Sequence, residues 1–100
     1  MRHINSREEF YSLVNDKKLS VVVFGGTGCN TCAEYEKEVI SVVDRYYPNV
    51  ISKVAVHGLL SEIGVGYVPY TAFYRKGEVL FSFTGREEVE EIMVKIIQLS

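Results

Sequence analysis

The chain has no tryptophan, only two prolines and two cysteines, and no long apolar run. Without a stretch of ~18 to 20 apolar residues, no segment is predicted to span a membrane. Basic residues are not in excess either, because 11 Lys and Arg stand against 13 Asp and Glu and leave a formal net charge of −2. This balance argues against a nucleic-acid partner and against binding to an anionic membrane surface.

The N-terminal segment lacks the apolar core of a secretory signal. Residues 1–9 turn polar after Ile4, so we expect a cytoplasmic protein. Disulfides are rare in the cytoplasm, because cellular reductants keep most thiols reduced there. A cysteine pair in that compartment is therefore more often catalytic, redox-sensing or metal-binding than structural.

The overall composition is that of a globular protein. Apolar residues make up 47% of the sequence, which is typical of a chain with a packed core and not of a disordered chain. A length of 100 residues allows one such core. We therefore predict one domain over residues 1–100, without repeats or linkers, and we expect a monomer.

Hydrophobic periodicity predicts alternating strands and helices. The predicted strands are Arg2–Ile4, Leu19–Phe24, Val50–Val56, Thr71–Tyr74 and Val79–Phe83. The predicted helices are Arg7–Asp16, Ala33–Tyr47, a short turn or helix at His57–Ile63, and a closing helix that contains Val89 and Ile97. This order predicts an α/β protein with a mixed central sheet of four to five strands and helices on both faces.

Both cysteines lie in one short motif, Cys29-Asn30-Thr31-Cys32, between a predicted buried strand and a predicted helix. The N-terminal end of a helix carries partial positive charge and unpaired N–H groups, which favour a thiolate over a thiol. A free thiol has a pKa of about 8.5, whereas cysteines in such motifs have pKa values of roughly 3.5 to 7.5. The arrangement indicates redox chemistry.

Three other uses of the motif fit the sequence less well. A structural disulfide across so small a loop stabilises little, because the stabilisation grows with loop length. A zinc or iron–sulfur site needs four ligands. Only His3 and His57 could complete a set of two cysteines and two histidines, and they lie on different predicted strands without the spacing of a zinc finger. A cluster shared between two subunits stays open as an alternative. Gly26 and Gly28 begin a dinucleotide-binding pattern, but Thr31 replaces its third glycine. We expect no cofactor and no metal.

The chain resembles the thioredoxin family over nearly its full length. A Cys-x-x-Cys motif alone is only moderately specific, but a later Val-Pro pair directly before a Lys-Gly-Glu hairpin makes the match strong. The matching segments are Val21–Phe24, Cys29–Cys32, Gly64–Pro69, Phe73–Val79 and Gly85. The resemblance implies the thioredoxin fold and a reversible Cys29–Cys32 disulfide.

The resemblance further implies a thiol–disulfide oxidoreductase that reduces disulfides in protein substrates. Cys29 attacks the substrate disulfide as a thiolate, and Cys32 then resolves the mixed disulfide. Pro69 is implied to be cis and to lie beside the cysteines, where Val68 presents its backbone to an extended substrate. A thioredoxin-reductase-like or other dithiol electron donor then reduces the Cys29–Cys32 disulfide again. The resemblance therefore implies that the protein acts in electron transport and in cell redox homeostasis. The residues expected to contact substrate are Gly28, Asn30, Thr31, Val68 and Pro69.

Three positions depart from the family pattern. Gly28 stands where thioredoxins usually carry a tryptophan, and Asn30-Thr31 replaces the usual Gly-Pro between the cysteines. Val23 stands where an acid is usually buried. These departures make the chain a divergent relative, in which the fold follows from the resemblance more directly than the partners do.

Several residues around the motif invite a role. We expect the loop Gly25–Gly28 to supply flexible backbone that lets a substrate approach Cys29. Lys53 and His57 could place a polar group near the pair, but the simpler interpretation is that both are ordinary surface residues. Two tyrosines flank the Val-Pro pair and could line a substrate groove: Tyr67 and Tyr70.

Two alternative functions stay open at this point. The first is a glutaredoxin-like oxidoreductase that uses glutathione, although the extra N-terminal strand and helix argue against it. A Gly-Gly pair is also missing after the hairpin, where Thr84-Gly85-Arg86-Glu87 stands instead. The second is a binding module of thioredoxin fold without catalysis, whose cysteines act as a redox switch.

Overall fold

Ten regular elements and one π-helical segment make up the computed structural model, which describes residues 1–100. The strands are Arg2–Ile4 (β1), Ser20–Phe24 (β2), Ile51–Val54 (β3), Tyr70–Arg75 (β4) and Glu78–Thr84 (β5). The helices are Arg7–Val14 (α1), Asn30–Tyr35 (α2), Ser41–Tyr46 (α3), Leu59–Glu62 (α4) and Val89–Leu99 (α5). Residues Glu36–Ile40 form the π-helical segment, which joins α2 to α3. The predicted order of strands and helices is confirmed.

The five strands form one mixed sheet in the order β1-β3-β2-β4-β5. The pairs β1–β3 and β2–β3 are parallel. The helical segment from α2 to α3 joins β2 to β3, which is the crossover that neighbouring parallel strands require. The pairs β2–β4 and β4–β5 are antiparallel. The sequence prediction of a mixed sheet is therefore correct, and the count is five strands, with β1 as one edge and β5 as the other.

Helices cover both faces of the sheet over two apolar clusters. All five residues of β2 are buried, as its uninterrupted apolar sequence predicts. Successive side chains of a strand point to opposite faces, so Val21 and Val23 join one cluster while Val22 and Phe24 join the other. The first cluster lies under α2, α3 and α5, and the second lies under α1 and α4. None of these helices is long and apolar enough to cross a membrane.

Helix ends differ from the sequence prediction by a few residues. Ser6 caps the start of α1, because the Glu9 N–H donates to Ser6 Oγ over 3.2 Å. The next helix begins at Asn30 and not at Ala33, since the residues between the cysteines form its first turn. The π-helical segment then adds a residue to one turn, so Tyr47 packs against the core while Tyr46 is 68% exposed.

A buried hydrogen bond ties α2 to β4. The hydroxyls of Tyr35 and Thr71 lie 2.8 Å apart, and both residues are fully buried. Burial raises the pKa of the Tyr35 hydroxyl, and the hydrogen bond with Thr71 partly offsets that rise. The bond therefore fixes α2 over β4 through the two hydroxyls.

Tyr35→Phe is expected to lower the free energy of unfolding by about 1–3 kcal/mol, because it leaves the Thr71 hydroxyl buried without a partner. The double variant Tyr35→Phe/Thr71→Val removes both polar groups and is expected to recover most of that loss. Urea unfolding of the three proteins measures both effects. A double variant no more stable than Tyr35→Phe would contradict this account.

Tyr74 makes stability depend on alkaline pH. It packs edge-on against Phe10, with ring centroids 5.8 Å apart, and burial raises its pKa from 10.0 to about 12. The unfolded chain releases this proton near pH 10 and the folded chain holds it to about pH 12, so this stabilising contribution is lost as pH rises through that window. Tyr74→Phe is expected to flatten that fall in urea unfolding, whereas Tyr46→Phe, which changes an exposed tyrosine, leaves it in place. Equal pH profiles for wild type and Tyr74→Phe would refute the assignment.

Candidate active site

Cys29 and Cys32 lie where β2 passes into α2. The two residues form a disulfide with a Cα–Cα distance of 5.3 Å, and both are half-buried. Burial of β2 up to Phe24 fixes the start of the connecting loop, and the first turn of α2 fixes its end. The pair predicted from the sequence is therefore brought together in its oxidised form.

Cys29 is the N-cap residue of α2. Its backbone is extended, and its Sγ accepts a hydrogen bond from the Cys32 N–H over 3.1 Å. A donor in this position favours the charged form of the Cys29 sulfur once the disulfide is reduced.

The Val68-Pro69 peptide lies beside the cysteine pair and is cis, so both expectations for Pro69 are confirmed. A Cβ placed on Gly26 would lie 3.3 Å from Val68 Cγ2 and 4.0 Å from Cys29 Cβ, which puts Gly26 between the two. Pro69 is buried, and its carbonyl accepts a hydrogen bond from the Gly85 N–H over 2.7 Å. Gly85, matched in the sequence by resemblance alone, thus supports the Val68-Pro69 edge.

The other residues expected to contact substrate surround Cys29 at the surface. All three are exposed: Gly28, Asn30 and Thr31. Gly28 has a φ of 74°, a left-handed conformation that glycine adopts without the steric cost of a side chain. Of the two flanking tyrosines, Tyr67 is 75% exposed beside Val68, whereas Tyr70 packs against Phe24 with ring centroids 5.8 Å apart.

A cavity of about 760 Å³ opens beside the pair, and both Cys29 and Cys32 line it. Its walls come from the loop after β2, the first turns of the helix, and the segment that runs from β3 into α4. Neither Val68 nor Pro69 lines it, but Gly26 does, and a Cβ on Gly26 would lie 3.3 Å from Val68 Cγ2. The other lining residues include Gly25, Glu36, Lys53 and His57.

Gly25 leaves this cavity open beside Cys32. A Cβ on Gly25 would lie 3.5 Å from Cys32 Cβ and 4.0 Å from Cys32 Sγ, with no atom of Cys29 within 4 Å. Gly26 borders the Cys29 side and Gly25 borders the Cys32 side.

An ion pair forms one wall of the cavity. Lys53 Nζ lies 2.7 Å from Glu36 Oε2, and both side chains are about one-third exposed. Lys53 stands opposite Val23 in the register of β2 and β3, and because Val23 is apolar, Lys53 takes its partner from the helix. Lys53 is thus an ion-paired residue at the protein surface, and His57 is exposed at the cavity edge. Sequence reasoning missed Glu36, although its i+4 spacing from Cys32 places it on the same helix face.

A second group of charges lies on the helix face near Gly85. Arg86 binds Glu38 over 2.9 Å and Glu34 over 3.6 Å, and the hydrogen bond to Glu38 raises the pKa of the guanidinium. Both glutamates are well exposed, so this helix face is solvated. Such exposed pairs contribute little to stability, and their sequence signal was too general to predict the Arg86 contact.

No arrangement of His, Cys, Asp and Glu within residues 1–100 is suited to hold a metal ion. His3 lies on β1 and His57 follows β3, and neither joins the cysteines in a four-ligand set.

Comparison with solved structures finds thioredoxins of the same fold. Fasciola hepatica thioredoxin is 20% identical with a TM-score of 0.84, and Plasmodium falciparum thioredoxin is 18% identical with a TM-score of 0.82; both matches cover 100% of each chain. The Nicotiana alata thioredoxin NaTrxh is 23% identical with a TM-score of 0.80, over 97% of this chain and 91% of that one. No protein-family model and no curated protein matches the sequence. The chain has the thioredoxin fold, with a Cys-x-x-Cys disulfide at the start of its second helix.

Proposed function

We propose that this protein is a thiol–disulfide oxidoreductase that reduces disulfides in protein substrates. The observation that carries the proposal is the Cys29–Cys32 disulfide at the start of α2, half-buried beside the Val68-Pro69 edge. A disulfide closing so short a loop adds little stability, so a structural role does not account for it. A reactive, reversible disulfide does.

The reaction divides between the two sulfurs. The reduced Cys29 thiolate attacks one sulfur of a substrate disulfide, and the other substrate sulfur leaves as a thiolate. The Cys32 thiolate then attacks Cys29 Sγ, which releases the second substrate sulfur and forms the Cys29–Cys32 disulfide. The substrate gains two electrons and the protein loses two. The N–H donor at Cys29 supports its assignment as the attacking residue.

Substrate docking is assigned to the Val68-Pro69 edge. No backbone hydrogen bond within the protein uses the N–H or C=O of Val68, so both groups are free to pair with an extended peptide. In the same docking mode, the substrate contacts the exposed residues around Cys29, which are Gly28, Asn30 and Thr31. An extended substrate can therefore place its disulfide next to Cys29 while its backbone pairs with Val68.

The setting of this reaction follows from the same proposal. We assign one thioredoxin-like domain over residues 1–100, acting as a monomer in the cytoplasm within electron transport and redox homeostasis. Its partners are disulfide-containing proteins and a reductase or other dithiol donor, with no resident cofactor. The acidic balance of the surface, with a net charge of −2, supports a partner set without nucleic acid or membrane.

Reduction of insulin by dithiothreitol tests the assignment. Wild type is expected to accelerate insulin reduction, and Cys29→Ser is expected to abolish the acceleration because the attacking sulfur is gone. Cys32→Ser is expected to trap a mixed disulfide between Cys29 and insulin, which mass spectrometry detects. Equal rates with and without wild type, in glutathione as in dithiothreitol, would leave only the binding module. Turnover that needs glutathione, and not dithiothreitol, would favour the glutaredoxin-like alternative.

Tyr67 tests the docking edge separately from the chemistry. Tyr67→Ala removes an exposed ring beside Val68 and is expected to raise KM for insulin by roughly threefold to tenfold, an effect of about 0.6–1.4 kcal/mol. The value of kcat is expected to stay close to wild type, since no reacting atom changes. Tyr46→Ala removes a comparably exposed ring on α3 and serves as the matched control. If both variants gave the wild-type KM, substrate would not dock over Tyr67.

A further inference from the structure

We propose, on the basis of the exchange reaction above, that Glu36 accepts the thiol proton of Cys32 in the resolving step and that Lys53 holds Glu36 in place. Cys32 attacks the mixed disulfide as a thiolate, so its proton has to leave before or during that attack. Glu36 is the acceptor of that proton, and Lys53 is a positioning residue that acts through Glu36.

The two cysteines differ in what the helix end offers them. Cys29 is the N-cap residue of α2, and its sulfur receives the N–H of Cys32 over 3.1 Å. Cys32 lies three residues further along, inside the first turn, so this donor supports the Cys29 thiolate and not the Cys32 thiolate. Removal of the Cys32 proton therefore depends on the side chains around it.

Besides the cysteines, three titratable side chains line the cavity, and they are Glu36, Lys53 and His57. Lys53 is the cation of the ion pair, and an ammonium group donates hydrogen bonds but accepts none. His57 is exposed at the cavity edge, whereas Glu36 is about one-third exposed. A carboxylate has only acceptor oxygens, so Glu36 is the proton acceptor that this set provides inside the cavity.

Backbone geometry places Glu36 next to Cys32. The Glu36 N–H donates to the Cys32 carbonyl, so Glu36 lies one helical turn after Cys32, and Cβ atoms at this spacing are about 5–6 Å apart. Helix side chains lean toward the N-terminus, which brings the carboxylate back toward Cys32. Strand β2 brings Lys53 to the same place, because Gly25 adjoins Cys32 while Val23, on the same strand face, stands opposite Lys53.

Proton transfer within this group leaves its net charge unchanged. Before transfer, the Glu36 carboxylate balances the Lys53 ammonium at 2.7 Å and Cys32 is neutral. After transfer, Glu36 is neutral and the Cys32 thiolate carries the negative charge, with Lys53 still on the same wall. A new charge in a half-buried site is costly when it has no partner, and here the charge moves without losing its counter-charge.

The proposed step balances in atoms and electrons. The Cys32 S–H bond breaks, the proton goes to a carboxylate oxygen of Glu36, and the sulfur keeps the electron pair. That pair forms the bond to Cys29 Sγ, the bond between Cys29 and the substrate sulfur breaks, and the substrate sulfur leaves as a thiolate. Glu36 then releases the proton to solvent through the open cavity.

Reaction of the reduced protein with the aromatic disulfide dithiobis(nitrobenzoate) separates the two sulfurs in one stopped-flow trace. Attack by Cys29 releases a first coloured thiolate, in a phase whose rate rises with reagent concentration. Attack by Cys32 on the mixed disulfide releases a second coloured thiolate, in a phase whose rate does not, because that step is intramolecular. The first phase therefore measures Cys29, and the second measures the step assigned to Glu36.

Glu36→Gln is expected to slow the second phase by about tenfold or more at pH 6, below the roughly 100- to 10,000-fold of general-base catalysis because a thiol partly ionises unaided. The first phase is expected to stay close to wild type, since Glu36 does not act on Cys29. Glu38→Gln is the matched control, because Glu38 is an exposed acid of the same helical segment that pairs with Arg86 and does not line the cavity.

The sign and the pH dependence of the effect separate proton transfer from simple electrostatics. If Glu36 acted only as a charge, its removal would free Lys53 to stabilise the Cys32 thiolate, and the second phase would become faster. Below the ordinary thiol pKa of about 8.5, the ionised fraction of a thiol falls about tenfold for each pH unit. The second phase of Glu36→Gln is expected to follow that slope as pH is lowered, whereas the wild-type phase falls less steeply because the carboxylate takes the proton.

Other titratable groups face the same ion pair and are varied in turn. His57 lies at the cavity edge, and His3 stands opposite Lys53 in the register of β1 and β3. His57→Gln and His3→Gln are expected to keep the shallow wild-type pH slope. Lys53→Arg keeps a cation for Glu36 and should retain most of the second-phase rate, whereas Lys53→Gln should lower it because Glu36 loses its partner.

The outcomes separate this proposal from the proposed function. A second phase that Glu36→Gln leaves unchanged or accelerates, in a protein that reduces insulin, overturns the role of Glu36 alone. Equal slowing of both phases would reveal a general structural effect and overturn it as well, as would a steep pH slope produced by His57→Gln and not by Glu36→Gln. A wild type without any second phase would reject Cys32 as the resolving sulfur, and with it the exchange reaction.

Discussion

Burial of β2 between two apolar clusters is the constraint on which the site depends. Val21 and Val23 face one cluster while Val22 and Phe24 face the other, so a shift of one residue would exchange the two faces. That register is held on both sides by β3 and β4. The chain therefore leaves the sheet at a defined residue, Gly25, and the cysteines follow after one short loop.

Two features of the following helix then set the site. The Tyr35–Thr71 hydrogen bond connects α2 to β4, and Thr71 follows Pro69 by only two residues, so the cysteines and the Val68-Pro69 edge are fixed to each other. The π-helical turn after Tyr35 accommodates an extra residue, and such turns are frequent at functional sites. It begins at Glu36, the partner of Lys53. The irregular turn therefore lies in the same helical segment as the cysteine pair, one turn after Cys32.

Sequence patterns predicted the sheet and the cysteine motif because both depend on local signals. An uninterrupted apolar run marks β2, and the spacing of the two cysteines is visible directly. The cavity has no such signal, since it results from the absence of a side chain at Gly25 near Cys32. The Glu36–Lys53 contact joins a helix to a strand across the fold, and pairs of that kind follow from tertiary packing and not from periodicity. Cys32 N–H as the donor to Cys29 likewise depends on cap geometry.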